Sequence, residues 1–306
     1  MTATAPRPFP LVPRRRFLGV QFGRRRTSRR GDGDEIAGTR PYQPGDLTAH
    51  IHWAASARLS EARGTDEFVV REFFAEQAPR VALVTDRRPA MAVRPRSVPW
   101  LDKRLAAETA ARLVAASALA EHGEVALSDG STRGATWLRG PGGALAAIDR
   151  RARAAAYEAG GESMRAALDA LVRDATALPS GSFVFVVSDF LAPVPTRVWA
   201  RLRALRWDVT PVVVQDPVWE MSFPDVGGAA VPLADPGTGR VEDVWFSPRA
   251  ARERAAANEQ RLADLLALFG RLGFDPVLVE AADAASIDRQ FHRWADRRRR
   301  SWRSHS

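Results

Sequence analysis

Residues 81–91 read VALVTDRRPAM. The stretch opens as a short apolar run, from Val81 to Val84, and turns polar at Thr85 and Asp86. A short apolar run bounded by polar residues is the pattern of a strand covered on both faces of a parallel sheet. Residues 80–85 are therefore predicted as the first strand of an α/β domain, with 86–91 as the loop at its carboxyl end.

Outward from this strand the chain alternates. Residues 101–122 place Ala, Leu and Arg at helical spacing, and 124–127 form a short strand candidate. Residues 141–153 and 163–177 read as helices divided by Gly160 and Gly161. The strongest strand signal is 182–187, followed by a helix at 196–205 and another buried strand at 209–214. Residues 227–246 read as a turn-rich hairpin broken at Pro236 and Gly237. Ser247 is placed to cap a helix reaching Leu272, since Pro248 suits a first helical turn. A last strand is read at 274–279 and a last helix at 284–300. Strands separated by helices imply right-handed crossovers and a mostly parallel sheet with helices on both faces. Ligands bind such sheets at the carboxyl ends of strands. That directs attention to Thr85 and Asp86, Ser188 and Asp189, and Gln215 and Asp216, each a polar step straight after an apolar run.

Composition narrows the function classes. A hydrophobic fraction of 45% allows a sizeable core. The absence of cysteine excludes disulfides, thiolate metal sites and cysteine nucleophiles, and fits a reducing cytoplasm. No unbroken apolar stretch approaches about 18 residues, so no transmembrane segment is expected. The net charge of +9 is concentrated at the ends. Nine arginines precede Asp32 and five lie within 297–303; without those fourteen, 45 basic residues fall to 31, against 36 acids. Basic ends around a slightly acidic body argue less for nucleic-acid binding than a basic folded face would. The N-terminal arginines are followed by no continuous apolar core, which makes a poor secretory signal.

Two parts of the chain carry a resemblance. Arg40, Tyr42, Gly45 and Asp46 form an R-x-Y-x-x-G-D segment, followed by Ile51, Trp53, Ala57 and Arg58. Further on, Asp216, Pro217, Glu220, Pro224, Asp225 and Gly227 spell D-P-x-x-E-x-x-x-P-D-x-G, followed by Leu233, Asp235 and Pro236. Together they resemble the bacterial "domain of unknown function 58" family over roughly residues 38–300. In that family the first segment precedes a von Willebrand factor A-like domain. The resemblance implies that fold here, with an N-terminal β extension and a C-terminal helical and hairpin extension. It also implies a partner, because such proteins are commonly encoded beside MoxR-type AAA+ ATPases. Many relatives carry two membrane helices ahead of the signature; this chain has only the basic arm there. The expected organisation is a flexible basic arm over 1–35 and a β extension with the signature over 36–79. A core with its hairpin follows over 80–246. A helix–strand–helix over 247–306 completes the domain and ends in a basic tail.

The fold so implied often holds Mg²⁺ in a metal-ion-dependent adhesion site, whose first loop reads D-x-S-x-S. Carboxylate and hydroxyl oxygens suit that hard cation. Here Asp86 remains, while Arg88 and Ala90 stand at the two serine positions. Asp189 lies where the second Asp belongs; Thr132 and Thr136 both compete for the middle Thr. The expectation is a degenerate site that holds no metal, Mg²⁺ being disfavoured by the missing hydroxyls and the nearby arginines. Either Arg87 or Arg88 supplies the positive charge by pairing with Asp86 or Asp189, with Ser188 beside them, or both arginines are solvated.

The remaining candidates have structural readings beside functional ones. Arg40, Asp46, Trp53 and Arg58 could form a partner surface; alternatively 42–46 is a turn and Trp53 an anchor for the extra strands. His50 and His52 share one strand face, but no third metal ligand is in view. Glu220 and Asp225 near Asp216 could resemble a carboxylate pair, against a hairpin loop bearing solvated acids. Trp294 and Trp302 flank the arginines at 297–300, an arrangement suited to nucleic acid or an anionic membrane surface. No phosphate loop, dinucleotide fingerprint, H-E-x-x-H or G-x-S-x-G motif is present, so no catalytic residue is assigned. The expected function is a cytoplasmic, non-enzymatic interaction module working with a MoxR-type AAA+ ATPase. The alternatives are polyanion binding through the tails, including peripheral membrane contact, and a divergent metal-dependent enzyme.

Overall fold

The computed structural model describes residues 7–14, 36–44, 46–73, 78–92, 94, 100–129, 136–138, 141–154, 156–173, 176, 178–235, 237–238 and 240–303. The chain divides into two compact units, Arg15–Gln77 and the combination of Met1–Arg14 with Ala78–Ser306.

The smaller unit pairs β1 (Ile36–Pro41) with β2 (Val69–Phe73) antiparallel. Between them lie a 3-10 turn, Thr48–His50, and helix α1, Trp53–Arg63. The sequence reading placed His50 and His52 on one strand face. Instead His52 is the N-cap of α1, its Nδ1 accepting from the Ala55 N–H at 3.3 Å. That cap satisfies an N–H that has no partner inside the helix. Gly64 closes α1 at φ 66, a left-handed turn that a side chain would strain.

The larger unit is a six-stranded sheet in the order β10-β7-β6-β3-β4-β5. Its strands are β3 (Arg80–Thr85), β4 (Glu124–Ser128), β5 (Thr136–Leu138), β6 (Phe183–Ser188), β7 (Asp208–Val214) and β10 (Val277–Val279). Five run parallel, and β5, which the sequence reading did not contain, adds antiparallel to β4. β6 is buried along its whole length, as expected for an uninterrupted apolar run in a central strand. Helices α2 (Lys103–Ala120), α3 (Pro141–Ala154) and α7 (Ala284–Arg303) cover one face. Helices α4 (Ser163–Arg173), α5 (Thr196–Ala204) and α6 (Pro248–Leu272) cover the other. Ser247 caps α6 through the Ala250 N–H at 3.1 Å, with Pro248 in its first turn. Hairpin strands β8 (Ala229–Ala234) and β9 (Val241–Phe246) pair antiparallel, and Trp219, Phe223, Val231 and Ala251 form a small separate core.

Neighbouring β3 and β6 are the strands at which the order reverses: chain order runs outward to β4 on one side and to β7 and β10 on the other. That is a topological switch point, where helices leave in opposite directions and open a crevice.

The basic arm read over 1–35 is not uniformly an arm. Residues 7–14 belong to the larger unit. Phe9 is 1% exposed and stacks on Phe291 with ring centroids 4.8 Å apart. Its N–H donates to Ser117 Oγ at 3.0 Å, and Leu11 and Val12 are buried beside it. Apolar burial outweighed the local charge, since Arg7 and Arg14 at the two ends of this segment stay exposed. The arginines at 15, 16, 24–26, 29 and 30 lie outside the described residues.

Candidate functional site

Strands β3 and β6 end side by side, and the Asp86 N–H donates to the Val187 carbonyl at 2.9 Å. Parallel pairing thus brings Asp86 next to Ser188 and Asp189, about a hundred residues away in sequence. All three are buried. The hydroxyl of Ser188 donates to Asp86 Oδ2 at 2.6 Å and accepts the Phe190 N–H at 3.0 Å. Asp189 Oδ1 accepts the Leu191 N–H at 3.0 Å. Phe190 holds a left-handed backbone at φ 52, costly for a bulky side chain. Its ring is held by Trp199 and Phe269, at 5.9 and 5.5 Å between centroids.

The guanidinium of Arg88 spans the two carboxylates. Its Nε donates to Asp86 Oδ1 and Oδ2, each at 2.9 Å, and its Nη2 donates to Asp86 Oδ2. The same Nη2 reaches Ser188 Oγ and Asp189 Oδ1, both at 3.2 Å. The Arg88 N–H adds a bond to Asp86 Oδ1 at 2.9 Å, which folds the loop back on itself. Burial disfavours the charged guanidinium, but Asp86 and Asp189 outweigh it and raise the arginine's pKa. Arg87 points elsewhere, donating from Nη1 to the Tyr157 hydroxyl at 2.8 Å with its guanidinium 5.1 Å from that ring's centre.

A second cation completes the cluster. Lys103, in the first turn of α2, places Nζ 3.0 Å from Asp189 Oδ2 and 2.6 Å from Glu220 Oε1. Desolvation works against this ammonium, yet the two carboxylates prevail and hold its pKa above the usual lysine value. Glu220 Oε2 accepts the Asp216 N–H at 2.8 Å. Asp216 Oδ1 takes the N–H groups of Val218 and Trp219, at 2.9 and 2.8 Å, and Oδ2 takes that of Leu101. Arg261 of α6 donates to the Glu220 carbonyl, and Asn258 Nδ2 donates to the Trp219 carbonyl at 3.2 Å. A chain of buried charges therefore runs Asp86–Arg88–Asp189–Lys103–Glu220 across the carboxyl end of the sheet.

This arrangement corrects the view of Glu220 as a solvated acid on a hairpin loop. Glu220 and Asp216 are buried, because the turn after β7 folds onto α6 and against Trp100. Asp225 and Pro217 are exposed and stand outside the cluster. Lys103 was missed altogether. One signal was available: it is the only lysine in the sequence, the other 44 basic residues being arginine. A compact ammonium on a flexible stem suits a gap between two carboxylates from different elements better than a planar fork does.

A Mg²⁺ ion at this place would need the oxygens of Asp86, Ser188 and Asp189. Nη2 of Arg88 already bonds to all three. With a fixed cation on its donors and Ala90 at the other serine position, the residues present do not fit the metal. No group of three or more His, Asp or Glu able to hold a metal occurs among the described residues. Thr132 and the side chain of Thr136 lie outside the described residues.

The upstream signature is a separate construction. Arg40 and Asp46 form a two-pronged ion pair, Nη1 to Oδ2 at 2.7 Å and Nη2 to Oδ1 at 2.6 Å. Asp46 Oδ2 also accepts the Gln43 N–H at 2.8 Å, closing the turn; Gly45 lies outside the described residues. The Arg40 guanidinium and that N–H lower the Asp46 pKa from 3.8 to about 2. Trp53, expected as an anchor, is 63% exposed, with its ring edge-on to Phe68. Arg58 is exposed on α1.

The C-terminal arginines are only partly available to a polyanion. Trp294 is fully buried, and Arg298 lies over its ring at 4.1 Å. Arg298 also donates to Asp208 Oδ2 at 2.8 Å and to the Val12 carbonyl at 3.0 Å. The side chain of Trp302 lies outside the described residues. Among the described residues, no helix is long and apolar enough to cross a membrane.

Fold and site together define an α/β protein with a charge cluster at the switch point of a mostly parallel sheet. The chain belongs to the family described as "Protein of unknown function DUF58", which matches residues 38–263. No curated protein matches it. Among solved structures it is similar to the PilB minor pilin from Streptococcus sanguinis, at 12% identity and a TM-score of 0.33. That match covers 77% of this chain and 65% of the pilin, so the chain spans slightly under two thirds of that protein's length. The D319A mutant of the same pilin matches at 12% identity and a TM-score of 0.34, covering 80% of this chain and 68% of the pilin.

Proposed function

We propose that the chain is a non-enzymatic interaction module with a von Willebrand factor A-like larger unit. It acts in the cytoplasm as an adaptor or chaperone component for a MoxR-type AAA+ ATPase. The observation that carries this reading is the Arg88 bridge between Asp86 and Asp189. The place where such folds hold a metal, and can bind a partner through it, is neutralised by the chain's own cation. A partner docking on this face does so by charge pairing and packing, without a bridging ion. The choice of partner rests on what the family resemblance implies, such relatives being commonly encoded beside ATPases of this type. The lack of recognisable catalytic motifs and of cysteine supports a binding role in a reducing compartment.

The test is co-purification of the tagged chain from its own cells, with ATP and with ADP, followed by identification of the retained proteins. The proposal expects an AAA+ ATPase whose recovery differs between the two nucleotides and whose recovery without nucleotide does not change with chelator. Failure to recover any AAA+ protein with either nucleotide overturns it. Recovery abolished by EDTA in the absence of nucleotide overturns the metal-free docking.

A further inference from the structure

Beside the charge cluster lies a pocket that the cluster does not use. Its cavity volume is small, about 30 Å³, and it opens to solvent at the carboxyl ends of β3 and β4 between α2 and α3. Leu83, Ala107, Ala111, Leu127 and Ile148 make its walls predominantly apolar, and Arg87 and Tyr157 also line it. Arg87 is 9% exposed, and its buried Nε has no hydrogen-bond acceptor. Among the described residues no carboxylate pairs with it; its side-chain bond goes to the neutral Tyr157 hydroxyl. The acids lining the same pocket are committed elsewhere. Asp86 is paired with Arg88, Glu108 with Arg104 at 3.0 Å and, through one carboxylate oxygen, with the Tyr157 hydroxyl at 3.5 Å, and Asp129 has a partner of its own.

A buried cation without a counter-ion is costly, and the cost is recovered when an anion with hydrogen-bond acceptors arrives. The apolar walls set the rest of the ligand. Inorganic anions would leave them uncovered, and a long chain would not fit between the two helices. We propose that this pocket binds a carboxylate carried on a short alkyl stem, with the acid on Arg87 and the stem against Ala107, Ala111 and Ile148. The same chemistry is offered by a free short-chain acid and by a glutamate side chain of a docked protein. The site is independent of the AAA+ reading, because the purified chain alone is expected to bind the ligand.

The experiment titrates the purified full chain with butyrate, with N-acetyl-glutamate amide as the mimic of a protein side chain, and with butyramide as the neutral control. Binding is read by calorimetry and by methyl NMR shifts at Leu127 and Ile148. Saturable binding of at least one acid, about tenfold tighter than butyramide, supports the proposal if Arg87→Met and Ala111→Leu each abolish it. The first variant removes the cation; the second fills the pocket and keeps the arginine. Stronger binding of butyrate assigns the site to a free acid, and stronger binding of the glutamate amide assigns it to a protein side chain. The proposal is overturned if neither acid binds, if acid and amide bind alike, or if binding survives either variant. Should Arg87→Met fail to fold, Ala111→Leu alone decides.

Discussion

The Lys103 ammonium stands 3.0 Å from Oδ2 of Asp189, whose other carboxylate oxygen is held by Arg88. One buried carboxylate is thus shared by two cations from different elements, and Lys103 passes the connection on to Glu220. Such a network is costly to desolvate, and removing one member strands the charge that remains.

Substitution Lys103→Met is expected to destabilise the chain by about 3–5 kcal/mol, the range for breaking a buried ion pair. Lys103→Arg keeps the charge but forces a larger planar group into the gap, at a cost of about 1–3 kcal/mol. Urea denaturation of both variants checks the order; an arginine variant as stable as the wild type would show that the ammonium's size is irrelevant.

The pH dependence of this pair has a definite sign. The folded-state pKa of Lys103 is raised above the ordinary 10.5. Its stabilising contribution is therefore complete below 10.5 and lost as pH climbs through the raised value. Between pH 10.5 and that raised value the wild type should lose stability more steeply than Lys103→Met. Parallel slopes in alkaline denaturation curves would contradict the assignment.

Arg88 is expected to exclude metal from the oxygens it occupies. In wild-type protein, millimolar Mg²⁺ should leave the melting temperature unchanged. The double substitution Arg88→Ser and Ala90→Ser withdraws the guanidinium and supplies two hydroxyls, leaving Asp86 and Asp189 facing each other. That variant should be destabilised by about 3–5 kcal/mol without metal and partly restored by Mg²⁺. Calorimetric scans with Mg²⁺ and with EDTA make the comparison.

The N-terminal segment should behave as core. Phe9→Ala empties a site formed with Phe185, Phe291 and Trp294. A cost of about 3–5 kcal/mol is expected, as for other buried phenylalanines. A change under about 1 kcal/mol in equilibrium unfolding would place Phe9 outside the core.

In the smaller unit, the Asp46 carboxyl should titrate near pH 2 rather than 3.8. Because its folded pKa is depressed, its support for the turn is present above 3.8 and lost as pH falls through about 2. Arg40→Lys, which cannot make the two-pronged contact, should move the midpoint back towards 3.8 in a carboxyl NMR titration.

The order of strands and helices in the larger unit was largely legible. Residues 80–85, 182–187 and 209–214 are apolar runs too short for helices, and each became a parallel strand. Two elements were not legible. Helix α1 has a weak apolar periodicity and begins at an unusual histidine cap, so turn residues dominated its reading. The edge strand β5 is three residues long, too short for any alternation to register.

What the sequence by itself determined was local: which runs are strands, which loops follow them, and that Asp86 and Asp189 close two strands with no D-x-S-x-S between them. The charges they meet were decided only by the fold. Periodicity speaks for neighbours three or four residues apart, whereas Lys103 and Glu220 are 117 residues apart and meet because α2 and the turn after β7 cross the same sheet edge. Arg87 and Arg88 are adjacent and chemically alike, yet one neutralises the two carboxylates and the other lines a pocket without a counter-charge. Only the path of the loop after β3 separates them, because successive side chains leave the backbone in different directions.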